Sequence, residues 1–348
     1  MPLQTPLIQW DDTAAQGPGR RGRRFAGGML LIGAVVVLLG LIVISRSFAS
    51  LHVAFDVIAN VSYFFGIPLI GIALAAARTR QWLAFAGALV TVFISTAPLL
   101  SATGQTSAKS SAVPIASVLH CNIRGSLSAW DGLRAIMEAR QPDLVSVVEA
   151  SEAVIERIRA DERILLDYPH RVLPRHRQEW PQVILSRYPI QPLPVAEAQP
   201  GTRMLSLFSL HRSIVVALPI GAIIFSTEHV PSPRTMASWE MGNEQIVALG
   251  HVVRDHYPRF NLPVLVTGDF NTSPAGYRDG LMRSATGLIP NPELLPPQGT
   301  WPSSFPPFFR LPLDRAWASE QISFGAGEVL ADIGSDHRPL FLRFSLHD

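Results

Sequence analysis

Three uncharged apolar runs, Ala26 to Ser45, Val57 to Ala77 and Trp82 to Leu100, constrain this chain more than any other feature. Each has about the 20 residues that a helix needs to cross a bilayer core. A core helix of a water-soluble domain shows a polar stripe at helical spacing, and the segment MLLIGAVVVLLGLIVI shows none. Taken alone, the first run also fits a signal sequence, because it follows Arg20, Arg21, Arg23 and Arg24. Two further runs behind it favour a multi-pass anchor over simple secretion.

Short loops keep their Lys and Arg on the cytoplasmic side. Four arginines precede the first run, Arg78 and Arg80 separate the second from the third, and Arg46 is the sole strong cation in the first loop. The expected organisation is a basic cytoplasmic N-terminus over 1–25, a three-helix anchor over 26–100, a small-residue tether over 101–114 and an extracytoplasmic domain over 115–348. Asp56, beside the second run, reads as a carboxylate in water at the outer interface rather than one on a polar path through the membrane. Charge divides the same way. Residues 1–114 hold eight Lys or Arg against three Asp or Glu, a net +5, whereas residues 115–348 hold 21 against 24, a net −3. The single cysteine, Cys121, excludes an internal disulfide and every Cys-based zinc or cluster site.

Within 115–348, short β-branched runs recur: IASVLHC, DLVSVVEA, QVILS, SIVVAL, AIIFST, PVLVTG and RPLFLRF. Helical periodicity marks Leu127 to Arg140, with Leu127, Trp130, Leu133 and Met137 on one face, and Thr235 to His256. Strands separated by tight turns and interleaved with helices predict mixed sheets in a layered α/β sandwich. Pro-rich stretches at 189–200 and 290–312 read as ordered surface loops, because apolar and aromatic residues interrupt them.

Residues able to bind metal or move protons sit where the apolar runs stop: Glu149 after LVSVV, His229 after AIIFST, Asp269 and Asn271 after VLVTG, Asp336 and His337 before RPLFLRF. Strand ends project from one rim of a sheet, where loops gather a site. Singly, each has an ordinary explanation as a solvated strand end, an Asx turn or a surface histidine. Their order is more informative, for the chain reads CNIRG, PDLVSVVEA, ILSRYPI, TEHVPSP, VLVTGDFN, PLDRAW and GSDHRPL in succession.

This series resembles the endonuclease/exonuclease/phosphatase superfamily of metal-dependent phosphoester hydrolases, and GDFN and SDHRPL are its most specific words. The resemblance implies a four-layer α/β sandwich behind the three membrane helices. It implies Glu149 as the principal ligand of Mg²⁺, or equally of Mn²⁺, with Asn122 beside it and Asp336 in the ligand set; hard oxygen donors suit both ions. By the same resemblance Asp314 hydrogen-bonds His337, which accepts a proton from the attacking water, while Asp269 orients that water or deprotonates it instead. His229 and Asn271 would contact phosphate oxygens and the charge developing on them. Arg124 stands open between phosphate binding and a plain salt bridge, and for Arg187 and Arg234 the structural reading is favoured. Many relatives have a THLP-like word where this chain reads Thr227-Glu228-His229-Val230-Pro231, so an inserted or substituted Glu228 bears on the placement of His229. The layout of spans, tether and outer domain is similar to the VanJ type of membrane protein, which is linked to teicoplanin-class glycopeptide resistance.

A nuclease of this kind needs a surface that neutralises several phosphates. The net −3 of residues 115–348, with no basic run denser than Arg171, Arg175 and Arg177, disfavours nucleic acid. A tethered site meets a lipid-linked phosphate at high effective concentration. The expected substrate is therefore a phosphoester or pyrophosphate in a membrane lipid, with an undecaprenyl diphosphate carrier as the leading case. Two alternatives belong to other classes: an extracytoplasmic nuclease or general phosphodiesterase, and a non-catalytic binding or sensor module on the same fold. The sequence carries no signal for an oligomeric state.

Overall fold

A computed structural model describes residues 18–103, 115–174, 181–193, 212–292, 299–325 and 327–347. Most of the expected tether, parts of both Pro-rich stretches, and Arg175 and Arg177 lie outside the described residues. The helices α1 (Pro18–Phe48), α2 (Val53–Val61), α3 (Gly66–Arg78) and α4 (Trp82–Thr103) come first. Three segments in this region, Phe25–Phe48, Val53–Arg78 and Trp82–Leu100, are long and apolar enough to cross a membrane.

The second of them is not one continuous helix: a 3-10 turn at Ser62–Phe65 separates α2 from α3. Pro68 explains the interruption. It has no N–H to give the carbonyl of Phe64, and its ring crowds that carbonyl. The chain divides close to this turn. One compact unit is drawn from Met1–Val43 and Phe64–Ser95, the other from Ile44–Tyr63 and Thr96–Asp348. In the first, Val35, Leu69, Ala73 and Ala88 form an apolar cluster; small residues there allow close helix approach. In the second, Arg46 donates from Nε and Nη2 to Ser62 Oγ at 3.1 and 2.8 Å.

The remainder of the second unit runs β1 (Ala116–Asn122), α5 (Leu127–Arg140), β2 (Leu144–Val148), α6 (Glu152–Ala160), α7 (Glu162–Asp167), β3 (His170–Val172), β4 (Val183–Ser186), β5 (Ile190–Pro192), β6 (Arg212–Leu218) and β7 (Gly221–His229). It continues with α8 (Met236–His251), β8 (Val264–Asp269), α9 (Tyr277–Thr286), β9 (Ile289–Pro290), β10 (Asp314–Ala318), β11 (Ile322–Phe324), β12 (Glu328–Val329) and β13 (Leu340–Leu346). One sheet has the order β11-β13-β1-β2-β4-β3, with β12 on β13, and the other β5-β6-β7-β8-β10-β9. Both are mixed: β1–β2 and β7–β8 are parallel pairs among antiparallel ones.

Strand alternation makes the layers. Val118, Leu144 and Leu342 from the first sheet meet Val216, Phe225 and Leu265 from the second in a core between the sheets. The opposite faces pack on helices, Leu119 and Val147 against Trp130, Leu133 and Ile155, and Val266 and Trp317 against Ile246, Leu249 and Met282. Helix, sheet, sheet, helix is the expected four-layer sandwich. The Leu127–Arg140 helix appears with the expected bounds, capped by Ser126, although Leu127 itself is exposed. Helix α8 is capped by Thr235, and its expected last turn, Val252–His256, widens into a π-helix.

Candidate active site

The residues facing the space between the sheets change character along each strand. In β1 they run Val118, His120, Asn122; in β7 Phe225, Thr227, His229; in β8 Leu265, Thr267, Asp269; in the oppositely directed β10 Ala318, Ala316, Asp314. A two-residue period thus carries the apolar core into a polar rim, and His229, Asp269 and Asp314 stand side by side by strand register. The turn words then close over that rim. Glu149, at φ 54° just past β2, and Asn271, at φ 50° just past β8, both turn the chain through left-handed conformations that are costly for a residue with a Cβ.

Asn122 bridges two carboxylates: its Nδ2 donates to Glu149 Oε1 at 2.8 Å and to Asp269 Oδ2 at 3.0 Å, and its Oδ1 accepts from the Arg124 N–H at 3.0 Å. The expected ligand oxygen is therefore turned to the Arg124 backbone, and the amide nitrogen meets the carboxylates. His229 Nε2 lies 3.2 Å from Glu149 Oε1. That hydrogen bond, helped by Asn122, holds the Glu149 carboxyl at about 2 despite partial burial. Burial works against a charged His229, yet Glu149 and Asp269 beside it raise the imidazole above its ordinary value.

On the other side His337 Nδ1 is 2.7 Å from Asp314 Oδ2, and its Nε2 is 3.6 Å from Asp269 Oδ2. Burial disfavours the imidazolium here too, but Asp314, Asp269 and Asp336 outweigh it and push His337 up to about 10. Asp314 is held well below the usual carboxylate range against its burial, because His337 and His120 flank it; Asp269 moves upward, burial being its largest influence. Asp336 Oδ2 approaches Arg124 Nη1 at 3.4 Å, and Asp336 Oδ1 is a buried atom with no hydrogen-bond partner among the described residues. Asn271 donates from its backbone N–H to Asp269 Oδ1 at 2.9 Å and from Nδ2 to the Val230 carbonyl at 2.9 Å.

Glu228 does not displace His229. It pairs with Gly268 in the β7–β8 register and points to the helix side, where Ser226 Oγ at 3.1 Å and Gln245 Nε2 at 3.3 Å donate to it. All the expected site residues except Asn122 and Asp314 line one cavity of about 870 Å³, and those two lie directly behind it through Glu149, Asp269 and His337. Arg234, read as structural, lines the cavity and is exposed; Arg187 does bond structurally, donating to the Gln141 carbonyl at 3.2 Å. Cys121, on the helix-facing side of β1, is buried, and burial together with the nearby carboxylates raises its thiol far from reactive range.

Two sets of residues escaped the sequence reading. His120, two positions before Asn122, places Nε2 3.2 Å from Asp314 Oδ1 and Nδ1 3.0 Å from Ser146 Oγ, so Asp314 lies between two imidazoles. Period-two spacing from Asn122 was the signal that could have found it. Asp56 is the second correction: it is fully buried, not in water, and with Asn60 it belongs to the same unit as the site.

Glu149, His229 and Asp269 each offer a ligand atom within 4.8 Å of the others, as do Asp269, Asp314 and His337. Glu149 of the first group and Asp336 both line the cavity, and among the described residues Asp336 Oδ1 has no hydrogen-bond partner; carboxylate oxygens of this kind fit a hard divalent cation.

The sequence profile of the Endonuclease/Exonuclease/phosphatase family matches residues 119–337. Among curated proteins none matches the chain significantly in sequence. Several solved structures are similar in fold. The human Nocturnin catalytic domain with bound sulfate anion is 16% identical with a TM-score of 0.51, covering 67% of this chain and 94% of that one. The D. rerio TDP2 structure complexed with single-strand DNA product is 16% identical with a TM-score of 0.50, covering 66% and 99%. SmcL is 14% identical with a TM-score of 0.50, covering 66% and 99%.

Proposed function

Since the chain belongs to the endonuclease/exonuclease/phosphatase family, a family of phosphoester hydrolases that use a divalent metal, we propose that it is a membrane-anchored, extracytoplasmic hydrolase of lipid-linked phosphate or pyrophosphate at the outer leaflet. The observation that carries this reading is the convergence of Glu149, His229, Asp269, Asn271, Asp336 and His337 on one cavity in a chain with three candidate spans. A binding module would have no need to keep a complete set of proton-transfer and phosphate-contact groups at hydrogen-bond distances from one another.

Glu149 and Asp336, with Asn122 close by, would hold the metal, Mg²⁺ or Mn²⁺. When bound it neutralises phosphate charge and stabilises the charge that develops as the ester bond breaks. The chain's own residues do the rest. Asp314 fixes the His337 ring through Nδ1, so that Nε2 faces Asp269; with His337 held in its charged form, Asp269 is the member of this pair that takes the proton of the water that attacks phosphorus. His229 and Asn271 donate to the non-bridging oxygens, and Arg124 and Arg234 add positive charge at the cavity wall.

The net −3 of residues 115–348 supports a lipid over a polyanionic nucleic acid, and the spans would keep the site at a bilayer surface. An undecaprenyl diphosphate carrier suits both requirements and gives the enzyme a place in cell-envelope chemistry. The test is phosphate release from undecaprenyl diphosphate by the full-length protein in detergent. Release should require Mg²⁺ or Mn²⁺, stop with a chelator and fall about 10³-fold in Asp269→Asn. Cleavage of a generic phosphodiester without release from the lipid would overturn the lipid assignment, and DNA nicking independent of lipid would replace it with the nuclease reading.

A further inference from the structure

Helix α2, the first nine residues of the second candidate span, carries two neighbouring stripes of side chains. The polar stripe is Asp56 and Asn60, one turn apart and both buried. Asp56 Oδ1 accepts from the Tyr277 N–H at 2.8 Å, and Oδ2 accepts from Trp239 Nε1 at 2.8 Å. Asn60 Oδ1 accepts from the Ser273 N–H at 2.5 Å and from Thr272 Oγ1 at 3.1 Å, while its Nδ2 donates back to Asp56 Oδ1 at 3.0 Å. A carboxylate and an amide are costly on a helix that faces lipid, and here the partners beyond α2, Trp239, Thr272, Ser273 and Tyr277, belong to the family domain.

Those contacts reach the segments that build the cavity. Thr272 to Gly276 continues directly from Asn271, and Trp239 stands one turn into α8, after Arg234 and Thr235 at the cavity wall. Gly276 shows how close the approach is, since a Cβ there would collide with the Asn60 amide. The neighbouring stripe, Val57 and Val61, lines the cavity itself, together with Trp301, Leu311 and Leu313. Val57 remains 42% exposed, so the apolar strip is accessible from the cavity rather than sealed into the core. One cavity thus offers proton-transfer and phosphate-contact groups at one part of its wall and a strip of span residues at another.

We propose that α2 is the specificity wall of the active site, on which Val57 and Val61 receive the hydrocarbon chain of a phosphoester while Asp56 and Asn60 hold that wall against the Asn271 loop. The inference rests on the lipid-phosphoester reading above and adds the subsite that recognises the chain. It makes the second span part of substrate selection as well as an anchor.

The experiment uses the full-length protein in one detergent with two esters that share a leaving group, hexadecyl 4-nitrophenyl phosphate and methyl 4-nitrophenyl phosphate. The wild type should prefer the hexadecyl ester in kcat/KM. Val57→Phe with Val61→Phe, which fills the strip, and Val57→Thr with Val61→Thr, which keeps its volume but makes it polar, should each reduce that preference about tenfold. A wild type without preference would overturn the lipid reading and this subsite together. A preference that both variants retain would overturn the subsite and leave the lipid reading standing. Equal losses on both esters would mean that α2 only supports the fold, which also overturns the proposal.

Discussion

Asp269, Asp314 and His337 keep at most 7% of their side chains in solvent, whereas Glu149, Asp336 and Arg124, at the cavity wall, keep 37%, 33% and 68%. The deep half is built by strand register, and its partners are other site residues: Asp314 sits between His337 and His120, and Asp269 between Asn122 and His337. The open half is built by turns: Asn122 and His229 hold Glu149 at 2.8 and 3.2 Å, and Arg124 approaches Asp336 at 3.4 Å. Geometry set before substrate arrives suits proton transfer, which depends on tenths of an ångström. Lone pairs left toward the cavity suit a cation and a phosphate that must enter and leave.

This division orders the expected losses. Asp269→Asn should lower kcat about 10³-fold, within the range of general acid–base catalysis, and leave the metal concentration for half-activity nearly unchanged. A metal titration of the residual activity checks both parts, and a large shift in metal requirement would put Asp269 in the ligand set. Asp314→Asn should cost about 10²-fold by releasing the His337 ring from its 2.7 Å partner. Restored activity in His120→Gln on that background would show that His120, not His337, is the ring that matters. Glu149→Gln belongs to the open half: its metal requirement should rise about 10- to 100-fold, with most activity recovered at high Mg²⁺ or Mn²⁺. Failure of excess metal to rescue it would move Glu149 from metal binding to chemistry. Arg124→Ala should be the mildest, a rise in KM of no more than about fivefold, since an exposed ion pair is worth about 0–1 kcal/mol.

Much of the deep half was legible because it obeys a local rule. An apolar strand that ends in a charged or amide residue announces a rim, and GDFN and SDHRPL stand next to runs whose alternation is plain. Strand β10 was not legible as a strand. It opens with Asp314 and Arg315, and Arg315 is tolerable where Asp279 pairs with it from α9 and the Trp317 ring lies 5.1 Å beneath it. His120 was not legible inside an apolar run, since its carboxylate partner arrives from the other sheet. The second span looked continuous because a hydropathy window sums side chains and does not register the one N–H that Pro68 lacks.

The sequence by itself determined three segments able to cross a membrane, the alternation that makes two facing sheets, and the strand ends at which the chemistry collects. These are properties of neighbours in the chain, and hydropathy and period-two spacing express them directly. Tertiary structure decided which carboxylates are buried between imidazoles and which stay open, and that the buried Asp56 and Asn60 join the first turns of the second span to the site. Those outcomes depend on partners far away in sequence, Asp56 with Trp239 and Tyr277, Asp314 with His120. A polar group's cost is set by whoever meets it after folding, and no local pattern encodes that meeting.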